Sequence, residues 1–175
     1  IPESDLDGLF AGFNATEIHL NEWNYMDNLG KRLGTDLDHD KKVFDRQKGA
    51  SGASFAALAL INMQNLPVDM AHFYEGSVGT RYSIISPGDR EVPRKTYFML
   101  KAFANIFSAE VQVQCDSPAL DEERVACLAS LSAKNRRGGL IVSNHQSTRD
   151  DYTIEVADIP WEHSRFEVRM LDDDR

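Results

Sequence analysis

The hydrophobic period of this chain changes once, near Ser108, and that single change limits the folds open to it. Before Ser108, segments with apolar residues at helical spacing alternate with short strand-like runs. After it, apolar residues recur at every second position. Strands that alternate with covering helices build right-handed crossover units of a parallel sheet or barrel, whereas a run of short alternating strands builds an antiparallel sandwich. The expected division is therefore 1–108 and 109–175.

In the first part, Leu6, Leu9, Phe10 and Phe13 stand at helical spacing. Residues 16–22 read as a strand, with Ile18, Leu20 and Glu22 on one side and His19 and Asn21 on the other. Residues 24–48 are polar and read as a long loop with some helical character, and residues 49–65 as a helix. That helix is capped by Ser51 or Ser54, carries Phe55, Leu58, Ala59 and Asn62 on one face and is stopped by Pro67. A second strand follows at 68–74. Turns at Gly76, Gly79, Pro87 and Gly88 lead to a helix near Pro93, with Tyr97, Leu100, Lys101 and Ala104 on one face and Phe98, Phe103 and Phe107 thickening the apolar side. Beyond Ser108, strands are expected at 111–115, 125–132, 140–143, 152–156 and 166–170, separated by segments rich in Gly, Pro, Asn and Asp.

Charge narrows the partners. The chain has 28 acidic against 19 basic residues, a formal charge of -9, and no basic stripe, which argues against nucleic acid and anionic lipid. The longest apolar-rich run, 55–61, falls far short of the ~20 residues that cross a bilayer. Cys115 and Cys127 are too few for a disulfide scaffold; they pair if neighbouring strands bring them together and otherwise stay free. Asn14-Ala15-Thr16 fits the glycosylation acceptor pattern, a motif short enough to arise by chance.

Glu22 carries the chemical signal. It stands at the end of a strand where the chain enters a polar loop, and in a parallel barrel the ligand site lies at the carboxyl ends of the strands. Trp23 beside it could stack on the apolar face of a sugar while the carboxylate meets the anomeric carbon; the alternative is a solvated strand-end acid. Tyr74 and Glu75 end the second strand and would face the same pocket as a hydroxyl-binding pair, or serve as a structural Tyr beside a solvated Glu. His72 reads as packed against a helix, and Trp161 as core or turn packing. Asp36-Leu37-Asp38-His39-Asp40 imitates the opening of a calcium loop, but Lys41 and Gln47 occupy the positions that need Gly and Glu, leaving a solvated acidic loop. No metal or cofactor is expected.

The run His19-Leu20-Asn21-Glu22-Trp23-Asn24 resembles the seventh-strand motif of clan A glycoside hydrolases, most like family 39, the β-xylosidase and α-L-iduronidase family. This chain has Asn21 where that motif commonly has Thr, and Trp23 where it has Tyr or Phe. Residues 67–74 resemble the eighth strand, 93–103 the closing helix and 140–144 the β-sandwich that follows the barrel. The resemblance implies a retaining glycosidase acting on a β-linked glycoside or oligosaccharide, with Glu22 as nucleophile and Trp23, Asn24, Tyr74 and Glu75 toward the carbohydrate. It further implies the fold: the last β/α units of a (β/α)8 TIM barrel, strands seven and eight, followed by an antiparallel β-sandwich. The acid/base belongs to an Asn-Glu motif that does not occur upstream of Glu22. A whole barrel takes roughly 200 to 250 residues, so the rest of the barrel, preceding Ile1, is the expected covalent partner. The rival readings are a noncatalytic carbohydrate-binding or structural module, and a clan A enzyme of arabinofuranosidase or glucuronidase type.

Overall fold

A computed structural model describes residues 17–27, 29–88, 91–116, 124–148, 151–162 and 164–172. The helical spacing of Leu6 to Phe13 and the acceptor at Asn14 lie outside these residues. Three layers follow from the packing. The first is a parallel pair, β1 (His19–Trp23) and β2 (Met70–Phe73). Helices form the middle: α1 (Leu37–Lys48), α2 (Ala50–Met63) and α3 (Lys95–Phe107). The third is an antiparallel sheet of β5 (Val111–Val113), β6 (Val125–Ser132) and β7 (Arg137–Asn144), in that spatial order. A two-residue ladder, β3 (Ile85–Ser86) with β4 (Val92–Pro93), precedes α3.

The parallel pairing of the two strands agrees with the crossover expected from the alternation of strand and helix. Leu20 pairs with Ala71 and Trp23 with Phe73, so one extra residue lies between the two pairs on β1. That bulge breaks strict alternation and turns Trp23 to the helix side with Phe73. The other face of the pair, with His19, Asn21, Glu22, Met70 and His72, is exposed. His72 therefore does not pack against a helix; its ring lies 6.0 Å from that of His19.

Several expectations about the helices need correction. The polar segment expected as a long loop with some helical character contains the full helix α1, and its acidic opening is a helix start: Asp36 is the N-cap, accepting from the Asp38 and His39 amides, with Asp38 and Asp40 in the first turn. Those hydrogen bonds hold the Asp36 carboxyl below the usual range, as a carboxylate at the positive end of a helix should be held. Helix α2 starts from Gly49 without a side-chain cap, so Ser51 and Ser54 lie inside it. Its buried residues are Gly52, Ala53, Ala56, Ala57 and Ile61, rotated from the face expected around Phe55 and Leu58. On α3 the buried residues are Thr96, Met99 and Ile106, while Phe98, Lys101, Ala104 and Phe107 are exposed.

Small side chains explain how α2 serves both sheets. Ala53, Ala56 and Ala57 with Met99 form one core cluster, on which Trp23 and Phe73 pack from the parallel pair. Ile61 and Ile106 with Ala126 and Leu128 form a second, toward the antiparallel sheet. Each large side chain so buried contributes about 1.5–3 kcal/mol relative to exposure. Polar contacts add a joint between α2 and the end of β7: Ser143 Oγ donates to the Ser54 carbonyl at 2.6 Å, and Ser54 Oγ lies 3.0 Å from His145 Nδ1. Tyr25 and Phe55 close around the His145 ring at 5.4 and 5.5 Å.

The segments 152–156 and 166–170, expected as strands, are not in strand. Ile154 and Val168 remain 57% and 90% exposed. Alternating apolar residues make a strand only where a neighbour supplies a ladder, and neither segment is laddered to another strand among the described residues. Among the described residues, then, the second part contributes a single antiparallel sheet.

Two expected outcomes follow. A Cβ at position 52 would lie 2.0 Å from the Gln47 carbonyl oxygen, a backbone atom that cannot swing away, whereas one at Gly76 would meet nothing within 4 Å. Gly52→Ala should cost roughly 3 kcal/mol and Gly76→Ala less than about 0.5 kcal/mol in denaturant unfolding. His145 is held below the ordinary histidine value by burial, then by Arg46 and Arg124, against opposing effects of Asp27 and the Ser51 backbone. A depressed histidine favours the neutral folded state, so its contribution is full above about pH 6.5 and is lost as pH falls below that value. Stability measured from pH 7 to 5 should drop in the native chain, and the drop should be smaller in His145→Gln.

Candidate functional site

The site expected from the sequence lies where β1 and β2 end. Glu22 is the penultimate residue of β1 and exposed, and among the described residues its carboxylate has no hydrogen-bond or ion-pair partner. Tyr74 follows β2 directly, and its amide donates to the Trp23 carbonyl at 3.0 Å. The pairing of Trp23 with Phe73 thus sets Glu22 and Tyr74 on neighbouring strand ends, one residue to either side of the paired position.

Trp23 itself points away. Its ring meets Phe73 edge-on at 5.0 Å and packs on the Ala53, Ala56, Ala57 and Met99 cluster. The expectation that it forms a stacking platform is corrected: the bulge puts its indole among the helices. Asn24 is also engaged by the protein. Its Nδ2 donates to the Tyr74 carbonyl and, at 3.2 Å, to the Tyr82 carbonyl, while its Oδ1 accepts from the Tyr25 amide at 2.6 Å. The Nδ2 end thus stitches the end of β1 to the segment after β2, while the Oδ1 end holds the local turn into Tyr25.

That segment forms the wall of the site. The Glu75 amide donates to the Tyr82 carbonyl at 3.2 Å, the Ile84 amide donates to the Glu75 carbonyl at 3.2 Å, and Thr80 Oγ1 donates to the Glu75 carboxylate. Tyr74 and Tyr82 face each other with ring centroids 5.6 Å apart. The Arg81 guanidinium sits 4.7 Å from the Tyr82 ring and 4.6 Å from the Phe44 ring. An exposed carboxylate on one strand end and a tyrosine pair with a stacked guanidinium on the other can together grip a polyhydroxylated ligand, since aromatic faces take C–H surface and the polar tips take hydroxyls.

Sequence reasoning missed Arg81, Tyr82 and, above all, Arg94. Arg94 is 8% exposed. Its Nη1 donates to the Arg81 carbonyl at 3.1 Å and to the Ser83 carbonyl, its Nη2 to the Thr80 carbonyl at 3.1 Å and its Nε to Ser86 Oγ at 3.1 Å. Burial lowers its pKa from the ordinary arginine value, yet a guanidinium stays charged. Only a planar fork of donors gathers so many carbonyls at once. Nothing in the spacing of the segment pairs residue 94 with carbonyls 11 to 14 positions earlier.

A cavity of 590 Å³ lies apart from the strand ends. Ala133, Arg136, Pro160, Trp161 and Glu162 line it. It lies beside the β6–β7 turn and includes none of the strand-end residues. Among the described residues no group of three or more His, Cys, Asp or Glu side chains gathers as a metal site, and no helix is long and apolar enough to cross a membrane.

No family model, curated protein or solved structure matches the chain.

If Arg94 organises this wall, Arg94→Met should cost roughly 3 kcal/mol, because it leaves several carbonyls without their charged donor. Amide exchange at Glu75 and Ile84 should accelerate together. Arg94→Lys should recover only part of the loss, since a point ammonium cannot span all four acceptors.

Proposed function

We propose that this chain forms part of a retaining glycoside hydrolase of clan A, with Glu22 as the nucleophile toward a β-linked glycoside or oligosaccharide. One observation carries the reading. Glu22 stands exposed at the carboxyl end of a strand that pairs in parallel with β2, beside the Tyr74–Glu75 strand end. Carboxyl ends of adjacent parallel strands are where a barrel assembles its ligand site. The exposed face of the pair supports a larger sheet, because parallel strands are ordinarily covered on both faces. On this reading further strands cover His19, Asn21, Met70 and His72, and one of them brings the proton donor.

The chemistry then divides between two carboxyl groups about 5 to 5.5 Å apart. Glu22 attacks the anomeric carbon and forms a glycosyl ester while the second group protonates the leaving oxygen; water, deprotonated by that same group, releases the sugar. Tyr74 and Tyr82 offer the stacking surface in place of Trp23, and Glu75, held by Thr80, lies on the same wall. Asn24 acts by fixing the geometry of the two strand ends.

A second reading draws on the cavity beside Trp161. Its half-buried indole with Arg136 and Glu162 suits a noncatalytic carbohydrate contact, in which Glu22 has no chemical role.

The two readings separate experimentally. In a polypeptide that also carries the proton donor, Glu22→Gln should lower turnover by at least about 10³-fold while leaving folding intact, because the amide keeps the shape but forms no glycosyl ester. A sugar that traps the covalent intermediate should label Glu22 alone. The 175-residue chain by itself should be essentially inactive. Near-normal turnover by the Gln variant, with sugar binding abolished by Trp161→Ala, would favour the second reading.

A further inference from the structure

The two cysteines of the chain meet across the edge of the antiparallel sheet. In the β5–β6 ladder Val111 pairs with Leu131, Gln112 with Ser130 and Val113 with Ala129. The ladder ends there; continued two residues beyond β5, the same register would set Cys115 opposite Cys127. Residues directly opposite on antiparallel strands have Cα atoms about 4.5 to 5.5 Å apart, inside the range a disulfide bridges. Both are free thiols in this structure, and the Cys115 thiol is near enough to Cys127 to act on it by hydrogen bonding and charge. Both also line a cavity of about 370 Å³ beside the end of α2, with Asn62, Asn65 and Gln114, so small molecules reach the pair.

We propose that Cys115 and Cys127 are a reversible modification site, closed to a cross-strand disulfide by exchange with a small-molecule disulfide of the glutathione class. The exchange has two steps. The Cys115 thiolate attacks the small disulfide, forming a mixed disulfide and expelling one thiolate, which takes up the proton that Cys115 lost. Cys127 then attacks the Cys115 sulfur and expels the second thiolate, which takes up the proton of Cys127. Two protein thiols are oxidised, one small disulfide is reduced to two thiols, and two electrons pass between them.

The surroundings assign the order of attack. Burial, then the Cys115 thiol and its charge, then Asp116, push Cys127 up to about 12. Cys127 is thus a poor first nucleophile, since the thiolate is the reacting form. Once Cys115 sits in a mixed disulfide its hydrogen bond and charge no longer act on Cys127, though burial still does, and Cys127 is the resolving thiol because it is the neighbouring thiol. The structural consequence falls on β5. It is an exposed three-residue strand at the sheet edge, and the bond would fasten this edge to β6 and close the loop from 115 to 127.

The test uses the 175-residue chain. After incubation with excess oxidised glutathione near pH 8, remaining thiols are alkylated and the digest is examined by mass spectrometry. The expected product is a linked peptide pair containing Cys115 and Cys127, two hydrogens lighter than the reduced pair and restored by dithiothreitol. The oxidised chain should melt roughly 5 to 10 °C above the reduced one. Cys115→Ser should take up little glutathione, and Cys127→Ser should stop at the mixed disulfide; neither should show the thermal shift. Stable glutathione adducts on the native chain without the internal bond, a disulfide between two copies, or alkylation of both thiols after the oxidant would overturn the proposal.

Discussion

Helix α2 presents Gly52, Ala53, Ala56 and Ala57 where an amphipathic helix of its length would ordinarily present leucines, and this shortage of side-chain volume lets neighbours approach from more than one side. Trp23 and Phe73 fill the space on the side of the parallel pair, and Met99 fills it from α3. The bend into α1 depends on the same economy, since the Gln47 carbonyl occupies the place a side chain at position 52 would need. Larger residues on this helix would separate the strands from the antiparallel sheet and dissolve the two clusters that hold the molecule together.

The strand-end wall depends on that packing in turn. With β1 and β2 seated on the helices, their ends are fixed next to each other, and Asn24 can join one to the other. Arg94, at the entrance to α3, then gathers the carbonyls of Thr80, Arg81 and Ser83 and gives the segment after β2 a single course. The charge there is structural, while the carboxylate of Glu22 is left in solvent. A buried, engaged cation behind the wall and an exposed, unengaged anion at the strand end is the distribution expected where one group shapes a site and the other meets a ligand.

Much of the organisation was legible. The crossover from β1 to β2, the extent of α2 and α3 and the hairpin of β6 and β7 follow from periodicity, which marks the kind of element, although it does not mark which face is buried. Helix α1 was legible only as some helical character within a loop, for a physical reason: its buried stripe is His39, Val43 and Gln47, two of them polar, so no hydrophobic period announces it. Only the cap at Asp36 marked it, and an Asp run serves a loop as well as a helix start. For α2 the helix was plain and its face was not. Phe55 and Leu58 outweigh alanines in any hydrophobic pattern, although the alanines are the residues in closest contact.

By itself, the sequence determined which segments can be helix or strand, where the period changes, and which carboxylate stands at a strand end, since these depend on spacing along the chain and on local turn chemistry. Tertiary structure alone decided which way Trp23 faces, because a one-residue bulge reverses a side chain without altering composition. It likewise brought Arg94 onto carbonyls many residues away and brought the Cys115 thiol near Cys127. Contacts of that kind depend on register and on distances through space, and neither is written in the order of neighbouring residues.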